Sequence, residues 1–256
     1  MNTENLLDQY RKMEIFCFQT FSQATKKSWG TIFYNPELPE RHDANHAEIV
    51  NTNNDMSQII TEIQDFYSKR NFLSRINFYD PDDNHPFKQT LVESDFTCLD
   101  TDSPTTFMKL ERIISIEELF NEDDKLRVSF TPALPKESQI GEDIAKVLHS
   151  DWSYQNLVTN NNYYYFILYD NDIPVSVLSF FLQQDFMLAR LDDVVTIPEY
   201  RNKGYASFLL KFASNWVQNN DFNPYLFVSN AIAKHVYSKT GFKEIISCKH
   251  CYWVKE

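Results

Sequence analysis

The stretch Asp192-Asp193-Val194-Val195-Thr196-Ile197-Pro198-Glu199-Tyr200-Arg201-Asn202-Lys203-Gly204-Tyr205-Ala206-Ser207 constrains the fold more than any other part of the chain. Ala189 to Ile197 is rich in β-branched residues and predicts a buried strand. Pro198 ends its ladder, having no N–H to donate. A helix is expected from about Gly204, with Phe208, Leu209, Phe212, Ala213, Trp216 and Val217 as its apolar stripe. A strand, a basic glycine loop and a helix together present free backbone N–H groups and a positive dipole end. Arg201 and Lys203 bring cations to that end, where the dipole disfavours them. Local structure does not account for them; an external anion would. Gly204 permits close backbone approach, and the small Ala206 keeps it open. An ordinary loop with a solvated basic turn is the competing reading.

A second block follows. Tyr225 to Ser229 predicts another buried strand, Asn230 a helix N-cap, and Ala231 to Thr240 a short helix stopped by Gly241. Arg201-x-x-Gly204-x-Ala206 and Asn230-x-x-Ala233-x-x-x-Tyr237-x-x-x-Gly241-Phe242, in that order, resemble the GNAT superfamily of acyl-CoA-dependent N-acyltransferases. The close resemblance runs from about Leu188 to Phe242; by order of elements it extends from Leu126 to the C-terminus. Ala206 stands where many members have glycine.

The resemblance implies an α/β fold on a mixed sheet. It implies acetyl transfer from acetyl-CoA, as donor substrate, to the amine of an unidentified acceptor, with no metal. The donor would be held by Val194, Val195 and Thr196, by Arg201, Asn202, Lys203, Gly204, Tyr205, Ala206 and Ser207, and by Asn230 and Ala233. Tyr237 would protonate the departing thiolate, against the alternative of a core tyrosine with a satisfied hydroxyl. Asp192 or Asp193 would serve as base, accepting a proton through water. Strand alternation allows only one of them to face the cleft, leaving the other to pair with Arg190 or meet solvent. A structural role for both stays open.

Elsewhere the pattern predicts a helical start over residues 1 to 12, and a strand or buried helical turn from Met13 to Phe21. Strands are expected at Ala44–Val50, Arg75–Tyr79, Phe96–Leu99 and Thr106–Ile113. Asp55 should cap a helix running to about Arg70, with Ile59, Ile60, Ile63, Phe66 and Tyr67 on one face. A short helix is expected at Phe87–Glu93. The second half predicts a strand at Leu126–Pro132, a helix at Ser138–His149 that Trp152–Val158 would continue, and a hairpin of Tyr163–Tyr169 and Val175–Phe181 around Asp170-Asn171-Asp172. The two halves repeat one order of elements. The chain therefore reads as two tandem GNAT-like domains: residues 1–122, degenerate or accessory, and residues 123–256, the acetyltransferase domain. Nothing like Arg-x-x-Gly-x-Ala precedes the helix at Met56, so one CoA per chain is expected.

The net charge of −12 disfavours a broad nucleic-acid surface. No apolar run reaches membrane-helix length and no signal peptide is evident, so a cytoplasmic monomer or homodimer is expected, with no membrane partner. Cys248-Lys249-His250-Cys251 lacks a second ligand pair for zinc, and His42 and His46 read as solvated loop histidines. Asp80, Asp82 and Asp83 are candidates to attract a cationic amine, or a solvated turn. Two other functions stay open: a non-catalytic acyl-CoA-binding regulatory module, and an aminoacyl-tRNA-dependent transferase, against which the charge weighs.

Overall fold

The computed structural model describes residues 3–51, 55–80, 85–99, 104–112, 125–132, 138–148 and 163–255. In chain order the elements are α1 (Thr3–Gln19), β1 (Gln23–Lys27), β2 (Gly30–Tyr34), β3 (Ala47–Ile49), α2 (Met56–Ser68), β4 (Ser74–Asp80), α3 (Phe87–Glu93), β5 (Thr97–Cys98), β6 (Thr105–Leu110), β7 (Leu126–Pro132), α4 (Gln139–Leu148), β8 (Tyr163–Asp170), β9 (Ile173–Gln183), β10 (Leu188–Thr196), α5 (Tyr205–Asn219), β11 (Asn223–Val228), α6 (Ala231–Lys239) and β12 (Phe242–Lys255). The expected Trp152–Val158 helix and the acidic segment Ser115–Asp124 lie outside the described residues.

Two compact units result, and neither is contiguous in sequence. One comprises Met1–Gln9 and Thr106–Ile246; the other comprises Tyr10–Thr105 and Ser247–Glu256. A single cut at 122/123 therefore does not describe them. Strand β6, at the end of the first half, pairs antiparallel with β11 from Thr106↔Val228 to Lys109↔Tyr225 and so completes the C-terminal unit. The far end of β12 pairs antiparallel with β4, from Ser74↔Lys255 to Asp80↔Lys249, and completes the N-terminal unit. Each half thus carries the closing strand of the other's sheet.

In the C-terminal unit the strands run β7-β8-β9-β10-β11-β6, with the start of β12 beside β6. The β8–β9 hairpin turns at Asn171 (φ 49°) and Asp172 (φ 64°), the left-handed pair that short polar residues tolerate. Its core gathers Phe166, Leu168, Val175, Leu178 and Phe180 from the hairpin against Leu209, Leu210, Ala213 and Val217 of α5, with Met108 of β6 among them. The apolar stripe expected of α5 is thus the face that packs on the sheet.

The N-terminal unit repeats the theme, with β3, α2 and β4 as a parallel β-α-β crossover. Asp55 caps α2 by accepting from the Ser57 and Gln58 N–H groups at 2.9 and 3.3 Å. Ile59, Ile60, Ile63 and Tyr67 are buried. Several expectations need correction here. Residues 13 to 19 continue α1 as one helix. The β1–β2 hairpin has no counterpart in the sequence reading, because its first strand is polar and exposed. His46 is fully buried and donates from Nδ1 to the His42 carbonyl (3.3 Å), while His42 bonds Asn77 at 2.7 Å. Neither is a solvated loop histidine, and burial lowers the pKa of both. Asp80 is buried against Lys88 at 2.6 Å, which leaves it no role in attracting an amine; Asp82 and Asp83 lie outside the described residues.

Candidate active site

The site begins where two parallel strands part. β10 and β11 pair from Leu188↔Asn223 to Arg190↔Tyr225; no further pair is recorded, although they run on to Thr196 and Val228. A cleft of about 710 Å³ lies beyond that point. Val194, Val195 and Thr196 line it from β10, and Asn230, Ala233 and Tyr237 from the start and middle of α6. Arg201, Asn202, Gly204, Tyr205, Ala206 and Ser207 supply the loop and first turn of α5. Lys203 instead lines an adjoining cavity of about 670 Å³, together with Lys125, Asp170 and Tyr205.

The loop geometry follows from its residues. Pro198 opens a single 3₁₀ turn, Asn202 has φ 64°, and Gly204 has φ 85° as the N-cap of α5. A Cβ at Gly204 would meet nothing within 4 Å, so the positive φ, not crowding, calls for glycine. No side chain caps α5. The first-turn N–H groups, which an α-helix leaves without intrahelical partners, are therefore available to an anion. Arg201 is exposed and donates from Nε to the Thr196 carbonyl at 3.1 Å; Lys203 lies 4.5 Å from the Tyr200 ring centroid. Asn230 caps α6, its side-chain oxygen accepting from Ile232 and Ala233 N–H at 2.8 and 3.3 Å.

The two aspartates depart from the expected alternation. The β9–β10 register shifts between Asp192 and Val195, and Asp193 has φ 46°. This β-bulge removes the rule that adjacent residues face opposite ways. Asp192 accepts from Arg190 at 2.7 Å and Asp193 from the Ser179 hydroxyl at 2.8 Å. Neither carboxylate lines the cleft, yet the charges of both reach Tyr237. Burial first, then Asp192 and Asp193, push the Tyr237 phenol up to about 12.

Sequence reasoning missed Ser179, Ile232, His235 and Lys239 as site residues. His235 and Lys239, four apart on α6, also line the cleft, and Ile232 is exposed at its edge. The helical period gave no signal for His235 and Lys239: both lie nearly opposite Tyr237 on α6, whereas Lys234, three residues before Tyr237, is engaged by Glu244 at 2.6 Å and bonds the Thr106 hydroxyl at 3.3 Å. Among its lining residues the cleft has Arg201, Lys239 and His235 and no carboxylate.

Residues 124–242 match the family model described as the acetyltransferase (GNAT) family. This segment belongs to the GNAT family. No curated protein matches the chain. Solved structures extend the likeness in fold to the whole chain. A GCN5-related N-acetyltransferase from Kribbella flavida superposes with a TM-score of 0.71 at 10% identity, covering 96% of this chain and 94% of its own. A functionally unknown conserved protein from Staphylococcus epidermidis gives 0.67 at 14% identity, over 92% and 94%. A tandem GNAT protein from the clavulanic acid biosynthesis pathway gives 0.64 at 9% identity, over 90% and 81%. The fold is therefore a tandem GNAT fold with the acetyltransferase family segment in its second half. That family transfers acyl groups to amines.

Proposed function

We propose that the cleft binds acetyl-CoA and that the protein transfers its acetyl group to the amine of a small molecule, peptide or protein. The carrying observation is electrostatic. In a chain of net charge −12, the cleft is lined by Arg201, Lys239 and His235, without a carboxylate, beside an uncapped helix N-terminus. A polyanion with a long uncharged arm suits such a lining. Its pyrophosphate would lie on the Gly204–Ser207 amides near Arg201, and its pantetheine arm between Val194–Thr196 and Asn230–Ala233.

In the reaction the amine lone pair attacks the thioester carbonyl carbon, the C–N bond forms, and the C–S bond breaks. The proton lost by nitrogen passes through water to the carboxylate pair, Asp192 and Asp193, and ends on sulfur. Tyr237 keeps its proton at neutral pH. A phenol near 12 is a weaker acid than an ordinary thiol near ~8.5. Its part is therefore to donate a hydrogen bond to the developing thiolate, with complete transfer following as the amine's proton arrives.

Titration calorimetry with acetyl-CoA, followed by thiol release on a panel of primary amines, tests the proposal. Binding with amine-dependent release supports it. Binding without release on any amine leaves the regulatory module, and no binding sinks both.

A further inference from the structure

Between Pro174 and Leu182, strand β9 has two polar residues, Ser176 and Ser179, and both are fully buried. A buried hydroxyl is costly unless it is bonded. Ser176 serves the β10 backbone: its hydroxyl donates to the Val195 carbonyl at 2.8 Å and lies 2.9 Å from the Thr196 hydroxyl. Ser179 differs. It stands directly opposite Asp192 in the ladder, where a cross-strand contact is expected. Yet its hydroxyl donates to Oδ2 of Asp193, at 2.8 Å, and no other side-chain bond to it is recorded among the described residues. The reason lies in Asp192, both of whose oxygens are already engaged. Arg190 holds Oδ2 at 2.7 Å, and the Asp193 N–H donates to Oδ1 at 3.0 Å. Arg190 and Asp192 therefore brace the bulge, and Asp193 is the carboxylate turned to a hydroxyl.

The two partners differ in what they can do. A guanidinium can only donate hydrogen bonds, whereas a hydroxyl donates, accepts and rotates between the two. Ser179 can donate to Asp193 when the carboxylate is ionised and accept from it when it is protonated. It can thus hold Asp193 in place through both halves of a proton transfer. We propose that Asp193, not Asp192, takes the proton lost by the amine, and that Ser179 is the positioning residue that holds it for this. This rests on the acyltransfer reading of the cleft. The proton moves from the amine nitrogen through water to Asp193, then on to the sulfur of the departing thiolate. Asp193 is again a carboxylate at the end of each turnover. Ser179 does not line the cleft, and its effect passes through Asp193.

The test is the pH profile of kcat/KM on the full chain, with acetyl-CoA and the best amine of the panel above. The amine's own ionisation is common to all variants, so a shift between variants reports the enzyme. Ser179→Ala should lower kcat/KM for the amine by about tenfold or more, with KM for acetyl-CoA unchanged. Its acid limb should move to higher pH by about one unit, because a carboxylate that loses a donor takes up a proton more readily. Ser179→Cys, larger than alanine but a poor donor, should behave in the same way and so exclude a void as the cause. Asp193→Asn should remove the limb, and adding Ser179→Ala to Asp193→Asn should cost nothing further. An unmoved limb in both Ser179 variants would overturn the proposal while leaving the acyltransfer reading in place. So would a limb that survives Asp193→Asn, or a further loss in the double variant. If the parent protein acetylates no amine, the acyltransfer reading itself fails, and the proposal falls with it.

Discussion

A fragment beginning at residue 123 contains all of the GNAT segment but lacks β6, and it should not fold on its own. In the intact chain β6 lies against β11 through four facing pairs, with Thr106, Phe107 and Met108 buried. Phe107 and Met108 each contribute about 1.5–3 kcal/mol by leaving water. The ladder adds on the order of 0.5–1.5 kcal/mol for each hydrogen bond it makes. Together the loss is about 5–12 kcal/mol, against a total stability of ~5–15 kcal/mol for an ordinary domain. The loss would also leave the edge of β11 unpaired and invite aggregation. Circular dichroism through a thermal ramp on the 123–256 fragment, the 104–256 fragment and the full chain is the assay. The shorter fragment should show no cooperative transition, and restoring residues 104–122 should recover part of it. A cooperative melt of the 123–256 fragment within a few degrees of the full chain would refute the exchange of closing strands as a source of stability.

Four further outcomes are expected. Arg201→Ala should lower acetyl-CoA affinity at least about tenfold without changing the melting temperature, measured by calorimetry and thermal unfolding. Tyr237→Phe should reduce kcat by roughly 10²-fold or more with acetyl-CoA KM little changed; unimpaired turnover would demote Tyr237 to packing. Because the Tyr237 pKa is raised above the unfolded value of 10.0, its contribution to stability is complete below pH 10 and is lost as pH rises through about 12. The Tyr237→Phe protein should therefore lose less stability across that alkaline window than the parent, as read by denaturant titration. Finally, binding should saturate at one acetyl-CoA per chain, since the Asp55 carboxylate already occupies the amides at the start of α2, where a second anion would sit. A stoichiometry of two would contradict this.

Much of the site was written in local sequence. Gly204 marks the positive φ of the loop, and the spacing from Phe208 to Val217 marks the buried face of α5. Asn230 and Asp55 cap the helices they precede. The hairpin residues Asn171 and Asp172 carry the left-handed turn. All of these depend on interactions spanning a few residues, which is why they could be read without a fold. The long helix α1 was harder, because its aromatic stretch from Met13 suits a strand as well as a helix.

What remained hidden depended on partners far away in sequence. β6 and the end of β12 were recognisable as strands, but nothing in a strand's own residues names the edge it will join. A boundary drawn where composition changes therefore missed the exchange between halves. The bulge that turns Asp193 is a mismatch between β9 and β10, invisible when β10 is read alone with strict alternation. His46 and Asp80 looked exposed because polar residues usually are, and only tertiary packing buried them. Lys239 gained its place in the cleft only when α6 docked beside the parted strands, since a helix's period fixes which residues share a face while packing alone decides what that face meets.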